Sequence, residues 1–197
     1  RSDGERVLAS IPARPCIVIA TVGAEPIAAE GYAAVLLLDG RSLLERPGLR
    51  SGEEAVRRWC SAAALAQQGA EVVVSVDAAH PAVQALTRWD PAWFAERELD
   101  ERAALHLPPA VRMASITGTG EAVSDLMTHL ELPPGTRVLG PVPAPRREEP
   151  SRMRIVVSID RASGAALSSA LRSAQAIRSA HRSPGSVEVR IDPLDIG

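Results

Sequence analysis

Short apolar runs alternate with turn signals over the first third of the chain. The runs occupy residues 17–21, 35–38 and 72–76. Runs this short and continuous are typical of strands that are covered on both faces of a sheet. Residues 51–68 have a helical pattern, in which Ser51 and Glu54 form a capping box and Gly69 supplies the C-terminal stop. This order of elements predicts a parallel sheet of the α/β class.

A different pattern begins at residue 78 and predicts two consecutive helices. The first covers residues 80–88, and the second begins with Asp90 as its N-cap and Pro91 at its first helical position. The sequence Leu-Pro-Pro at 107–109 ends the second helix, because the residue before a proline avoids helical backbone angles. The expected organisation is a first domain over residues 1–77, a helical connector over 78–110 and a C-terminal domain over 111–197.

The C-terminal domain is predicted to contain four strands and two helices in the order βαββαβ. This is the ferredoxin-like, or split-βαβ, arrangement. Four prolines between residues 140 and 150 end a short strand predicted at 137–139, and we expect a loop there because proline cannot join a central strand. In the long helix predicted at 163–181, one stripe is apolar and should cover the sheet, while Arg172 and Arg182 on the opposite stripe stay in solvent. The apolar stripe consists of Leu167, Ala170, Leu171, Ala174 and Ile177.

Composition limits the class of protein. The chain has 197 residues, of which 46% are hydrophobic and 23% charged, and these values exclude disorder and a disulfide scaffold. Two cysteines, Cys16 and Cys60, are too few for a structural zinc cage, and we expect both to be small core residues. No apolar run approaches the roughly 20 residues of a membrane span, so we predict a cytoplasmic protein without a membrane partner. The first residue is Arg1 and not Met, which favours a piece of a longer protein.

Few side chains suggest catalysis or a cofactor. All 22 basic residues are arginine, which excludes a lysine-dependent phosphate loop and a Schiff-base lysine. The four histidines lie far apart and at no metal-ligand spacing, so no metal site is expected. The sequence Thr-Gly-Thr-Gly at 117–120 lacks the third glycine of a dinucleotide fingerprint, and we interpret it as a turn with Thr119 as a helix cap. Asp39 and Asp77 end predicted strands and are interpreted as turn residues.

Positive charge is concentrated late in the chain. From Arg137 to Arg190 there are ten arginines and four acidic residues, a local charge of +6. Such a segment either attracts a polyanion or is an ordinary solvated face. Four of these arginines lie within nine positions, and we predict that they contact DNA phosphates, because a guanidinium can donate two parallel hydrogen bonds. These candidates are Arg146, Arg147, Arg152 and Arg154.

Aromatic residues are few and clustered in the connector. Trp89, Trp93 and Phe94 lie within six residues, with Arg88 and Arg97 nearby. Trp89, Trp93 and Arg97 are the candidates for binding a partner, because aromatic and arginine side chains together can hold a peptide tail or a base. The favoured alternative is that Trp93 and Phe94 pack the connector against the C-terminal domain, since aromatics at helical spacing are usually core residues.

Taken in order, several motifs resemble the C-terminal part of the PriA family of primosomal replication-restart proteins. They are Pro-Gly-Leu-Arg-Ser-Gly-Glu at 47–53, Glu-Val-Val-Val at 71–74, Phe-Ala-Glu-Arg-Glu-Leu at 94–99, Leu-Pro-Pro at 107–109, Leu-Gly-Pro-Val-Pro-Ala-Pro at 139–145 and Ile-Asp-Pro at 191–193. The resemblance spans nearly the whole chain. It implies that the first third is a remnant of the second RecA-like helicase lobe, and that the family's zinc-binding cysteines lie upstream, so no cofactor is expected in this chain.

Departures from the family pattern bear on activity. The two arginines that would stabilise the charge on the transferring phosphoryl group of ATP align with Leu65 and Gln68, and losing such an arginine lowers the rate by about three to five orders of magnitude. The chain thus resembles a degenerate, actinobacterial-type member that is not an enzyme. The resemblance implies recognition of branched or forked DNA, contact with the single-stranded-DNA-binding protein and other primosome proteins, and help in reloading the replicative helicase. A fragment of an active ATP-dependent helicase and an unrelated α/β enzyme remain the alternatives.

Overall fold

A computed structural model of the protein describes residues 8–12, 14–144 and 152–193. The chain forms two compact units, residues 1–96 and residues 97–197. The division between them falls inside the helix Pro91–Ala104. The predicted domain boundaries, after residues 77 and 110, stay predictions.

The first unit contains two small parallel sheets and a layer of helices. Its elements are β1 (Ser10–Ile11), β2 (Ile27–Ala28), β3 (Tyr32–Leu37), α1 (Gly40–Leu44), α2 (Ser51–Ala63), β4 (Ala66–Val74), α3 (Pro81–Arg88) and the beginning of α4 (Pro91–Ala104). Strand β1 pairs with β2, and β3 pairs with β4, both in parallel. The observed α/β class and the parallel pairing of β3 with β4 agree with the prediction for the second and third strands.

The predicted strand at 17–21 is wrong. No strand is assigned there, and Ile17 and Ile19 are 93% and 95% exposed. Each described parallel sheet of this unit has only two strands, neither of which pairs with this segment. An apolar run becomes a strand only where a neighbouring strand accepts its backbone hydrogen bonds, and none does so here.

The helix predicted over residues 51–68 begins at Ser51 as expected, but its predicted C-terminal end and its capping box are wrong. Helix α2 ends at Ala63, and Gly69 lies inside β4 with a φ of 79°, so this glycine does not terminate the helix. There is no capping box, because the N-cap is Arg50 and the hydroxyl of Ser51 donates to the carbonyl oxygens of Arg46 and Gly48 instead. The hydroxyl therefore closes the preceding turn.

The core of the first unit takes side chains from β3, from helices α1, α2 and α3 and from the beginning of α4. Phe94 is 3% exposed and belongs to this core together with Trp59 and Val83. The prediction that Phe94 and Trp93 pack against the C-terminal domain is therefore wrong. The N-cap predicted at the start of α4 is confirmed, because a carboxylate oxygen of Asp90 accepts the backbone N–H of Trp93 at 2.9 Å. Asp90 therefore caps the N-terminus of α4.

The second unit is built on one four-stranded antiparallel sheet. Its elements are β5 (Val111–Thr119), α5 (Gly120–His129), β6 (Arg137–Pro143), β7 (Arg152–Asp160), a 3-10 turn at Arg161–Ser163, α6 (Gly164–Ala180) and β8 (Val187–Ile191). The strands lie in the order β6-β7-β5-β8, and every neighbouring pair is antiparallel. Helices α5 and α6 cover one face of this sheet, where Ile116, Val157 and Leu171 form part of the core. The predicted order of strands and helices matches the observed one.

Two details of the second unit differ from the expectation. Strand β6 continues through Pro141 to Pro143, beyond the predicted end at residue 139, and it can do so because it is an edge strand. In α6 the apolar stripe holds for Leu167, Leu171 and Ala174, but Ile177 is 39% exposed and Arg178 is buried in its place. Both Arg172 and Arg182 are exposed, as expected.

Candidate nucleic-acid interface

Two of the four predicted DNA-binding arginines lie together on one face of β7. Side chains alternate along a strand, and Ile155 and Val157 of β7 point into the helix-covered core. Arg152 and Arg154 therefore lie on the opposite face, where both are half-buried. The other two candidates, Arg146 and Arg147, lie outside the described residues.

Two further arginines, which the sequence analysis did not single out as DNA contacts, lie on the same face. Arg137 of β6 is directly opposite Ser158 of β7, and Arg190 of β8 is directly opposite Ser115 of β5. Directly opposite residues share a face in an antiparallel pair, and both serines belong to the face of Arg154. We refer to Arg137, Arg152, Arg154 and Arg190 as the arginine face. Its register depends on strand pairing over long distances in sequence, so only the local pair in β7 could be recognised beforehand.

The charges on this face are partly balanced. Arg190 pairs with Glu188 at 2.6 Å, and Asp160 lies at the end of β7. Arg137 is within 3.1 Å of a ring nitrogen of His106. The Nε of Arg154 is buried and donates no hydrogen bond to any of the described residues. With four arginines and two acids on the described strands, the face has a formal charge of +2.

An ion pair between a buried arginine and a half-exposed aspartate holds the segment that leads into β8. Arg178 of α6 donates to a carboxylate oxygen of Asp125 in α5 at 2.7 Å and to the carbonyl oxygens of Pro184 and Gly185. Its hydrogen bond lowers the pKa of Asp125 below the usual range. The side chain of Arg178 thereby links α5 and α6 to the turn before β8. Strand β8, which follows this turn, carries Arg190 of the arginine face. No local signal in the sequence distinguishes this arginine from Arg172 or Arg182.

The segment that leads into β8 approaches the neighbouring strand β5 closely at Gly118. A Cβ added to this glycine would lie 2.8 Å from the carbonyl oxygen of Ser186. Thr119 follows as the N-cap of α5, and its hydroxyl accepts the backbone N–H of Ala122. The interpretation of residues 117–120 as a strand-to-helix turn is therefore confirmed. Gly118 is required there because the segment before β8 leaves no room for a Cβ.

The candidate partner-binding residues fall in different surroundings. Trp89 is 56% exposed and is the C-cap of α3. Its positive φ of 54° is unusual for so large a residue. Trp93 packs against the core of the first unit, and the guanidinium of Arg88 lies 5.1 Å from its ring centre. Arg97 forms an exposed ion pair with Glu101 at 2.8 Å. Of these three candidates, Trp89 presents the largest free aromatic surface.

The remaining candidates have local roles. The carbonyl oxygen of Asp39 accepts the hydroxyl of Ser42, and the carboxylate of Asp77 accepts the backbone N–H of Ala79, so both are turn residues. Cys60 packs against the first core, and burial raises the pKa of its thiol. The prediction that Cys16 is a core residue is wrong, because it is exposed on a segment that forms no strand. Within residues 8–12, 14–144 and 152–193, no cluster of three or more histidine, cysteine or acidic side chains could hold a metal ion.

Comparison with known proteins assigns the second unit to a family. Residues 103–194 match the family model described as the primosomal protein N C-terminal domain. The segment that matches includes both helices and all four strands of the sheet. Among the helices of the described residues, none has the length and apolar character that crossing a membrane requires.

Curated relatives match the whole chain. It is 42% identical to the probable replication restart protein PriA of Mycobacterium leprae (strain TN) over 207 residues, and 37% identical to that of Mycobacterium tuberculosis (strain CDC 1551 / Oshkosh) over 218 residues. Each alignment covers 100% of this chain, which spans 32% of the first relative and 33% of the second. The chain thus corresponds to about a third of these proteins, and it belongs to the PriA family of replication restart proteins.

Proposed function

We propose that this chain is the DNA-binding C-terminal part of a protein that recognises stalled replication forks and helps reload the replicative helicase. The observation that carries the proposal is the arginine face in the unit that matches the primosomal family. Arginine suits this role because its planar guanidinium donates two hydrogen bonds to a phosphate and stays charged at every physiological pH. The partners that follow from this role are branched or forked DNA, the single-stranded-DNA-binding protein and other primosome proteins, all in the cytoplasm.

In this proposal residues 1–77, in the first unit, are a remnant of the second RecA-like helicase lobe, and residues 111–197, in the second unit, form a ferredoxin-like domain. Parallel strands joined through a helix support the first assignment, and the antiparallel order β6-β7-β5-β8 with both helices on one face supports the second.

The proposal also holds that the chain does not hydrolyse ATP. Leu65 is half-buried and Gln68 is exposed, and neither can place a positive charge on a phosphoryl group. We expect ATP with magnesium to leave the melting temperature of the protein unchanged, since a ligand stabilises only the state that binds it. A rise of several degrees, or ATP turnover by the full-length protein, would favour an active helicase instead.

The DNA-binding role can be tested by fluorescence-anisotropy titration of this chain with forked, duplex and single-stranded DNA at two salt concentrations. Changing Arg152 and Arg154 together to Ala should weaken binding to all sequences alike and reduce the salt slope by about one unit per lost contact. The matched control changes Arg172 of α6, a helix on the other side of the sheet, and Arg182, which follows the end of that helix, and should leave binding intact. An unchanged affinity and slope in the β7 variant would make partner-protein binding the better account of the domain.

A further inference from the structure

Strand β8 forms a free edge of the sheet in the second unit. It pairs with β5 on one side, and no strand of the described sheet lies on its other side. The pairing with β5 is antiparallel and regular along the whole strand, which contains no proline. A regular edge strand without proline can accept a further strand through its unpaired backbone groups. The edge at β8 is therefore open to pairing.

The hydrogen-bonding pattern identifies which backbone groups of β8 are unpaired. The N–H of Asp192 donates to the carbonyl oxygen of Met113, which the register of β5 and β8 places directly opposite it. Bonded and non-bonded pairs alternate along an antiparallel ladder, so Arg190 and Glu188 also bond to β5. The alternate residues direct their N–H and C=O groups away from β5. These residues are Val187, Val189 and Ile191.

We propose that two copies of this chain pair through β8, antiparallel and centred on Val189, and so join their four-stranded sheets into one. The outward-facing residues of each copy then exchange backbone hydrogen bonds across a twofold axis. Val189 lies opposite the partner's Val189, and Ile191 lies opposite the partner's Val187. Such a contact uses the same surface on both copies, so it closes on itself and stops at a dimer. This contact is independent of the proposed DNA-binding role.

The charges of β8 are complementary to each other in this register. Glu188 lies directly opposite the partner's Arg190, and Arg190 lies opposite the partner's Glu188. These are non-hydrogen-bonded pairs, in which the facing Cα atoms are only about 4.5 Å apart and the side chains lie close together. Both side chains are accessible, because Arg190 and Glu188 are 58% and 46% exposed. Opposite charges that face each other in this way stabilise a strand pair.

Other registers oppose like charges or lose hydrogen bonds. Centring the pair on Glu188 would place this carboxylate opposite the partner's Glu188, and centring it on Arg190 would place two guanidinium groups opposite each other. Like charges in such positions destabilise a strand pair. Centring it on Ile191 would bring Val189 opposite the partner's Pro193, which has no N–H to donate. The sequence of β8 thus favours the register centred on Val189.

The apolar side chains of β8 favour the same register. Val187 and Val189 pack against the core of the second unit, while Ile191 at the end of the strand is 45% exposed. In the paired strands Ile191 lies beside the partner's Val187 on the helix-covered face, because directly opposite residues share a face. This contact removes apolar surface of Ile191 from water and therefore stabilises the dimer.

Analytical ultracentrifugation of the 197-residue chain tests for this dimer. A contact through one strand is at the weak end of protein interfaces, so the measurement covers about 5 to 500 µM protein. The weight-average mass should rise from 20.8 kDa towards twice that value. Glu188→Arg and Arg190→Glu each create two symmetric pairs of like charges, and each should weaken association by about tenfold. The control Arg172→Glu on α6 changes the net charge as Arg190→Glu does and should leave association unchanged.

Mixing the two β8 variants gives the most specific result. In a mixed dimer the arginine introduced by Glu188→Arg faces the glutamate introduced by Arg190→Glu, and the two unaltered charges also face each other. The equimolar mixture should therefore associate about as tightly as the unaltered chain, although neither variant does so alone. Circular dichroism melts of each variant establish that the fold is retained.

Amide hydrogen exchange gives a second measurement at single residues. The N–H groups of Val187, Val189 and Ile191 should exchange rapidly in dilute protein and become protected as the concentration rises. Those of Glu188 and Arg190 bond to β5 and should be protected at every concentration.

Three results would overturn the inference. A chain that stays monomeric up to about 500 µM would leave the β8 edge to a strand of another protein. An equimolar mixture that associates no more tightly than the single variants would exclude the register centred on Val189. An equal loss of association in Arg172→Glu and Arg190→Glu would indicate nonspecific charge attraction instead of strand pairing.

Discussion

Replacing Phe94 by Ala should destabilise the first unit and leave the second unit unaffected. The residue is 3% exposed and lies in the core of the first unit together with side chains of α2 and α3. Truncating a fully buried phenylalanine costs about 3–5 kcal/mol, the sum of lost apolar burial and the cavity that remains. With a urea dependence of about 2 kcal/mol per molar, the unfolding midpoint should fall by about 2 M.

The tryptophans make this measurement specific to one unit. Trp59, Trp89 and Trp93 all lie in the first unit, so their fluorescence follows its unfolding alone. The control is Leu36→Ala, because Leu36 is 62% exposed and its truncation should change stability by less than about 0.5 kcal/mol. An unchanged fluorescence midpoint in the Phe94 variant, with faster hydrogen exchange in α5 and α6, would refute the assignment of this ring to the first core.

Three further perturbations probe contacts in each unit. Arg178→Met should lower the stability of the second unit by about 2–4 kcal/mol in circular dichroism melts, because two carbonyl oxygens and a carboxylate lose their donor, and an unaltered melt would contradict this. Gly118→Ala should cost about 1–3 kcal/mol in the same assay, since its Cβ would meet the backbone of Ser186, and no loss would mean that β8 shifts freely. Hydrogen bonds from Arg57 and Arg58 lower the pKa of Glu54 to about 2. The stabilising contribution of this carboxylate is therefore complete above its unfolded pKa of about 4.3 and is lost as pH falls towards 2. Glu54→Gln should flatten the pH dependence of the fluorescence transition in this window, and an unchanged profile would count against the ion pair.

Local signals in the sequence predicted much of the second unit. The order of its strands and helices, the cap at Thr119 and the shared face of Arg152 and Arg154 all follow from periodicity and turn chemistry within a few residues. The family was also recognisable, because its motifs occur in order along nearly the whole chain. These features have in common that none requires knowledge of which distant segments meet.

Features that depend on distant partners could not be predicted in this way. Arg178 is buried because Asp125, 53 residues away, accepts its hydrogen bond, and the helical pattern alone favoured Ile177 for that position. The side of α4 that faces a core likewise depends on packing, so Phe94 was assigned to the wrong unit. The other half of the arginine face, Arg137 and Arg190, became visible only through the register of β6 and β8 against the central strands.

The prolines of β6 have a consequence for how the protein behaves at high concentration. An edge strand presents unpaired backbone groups that can recruit a strand from another molecule. Pro141 and Pro143 have no N–H to offer, and the irregular register between Leu139 and Val142 interrupts the remaining row of donors. A second copy therefore cannot extend the sheet along this border. Molecules at high concentration would lie side by side at this border without fusing into a continuous intermolecular sheet.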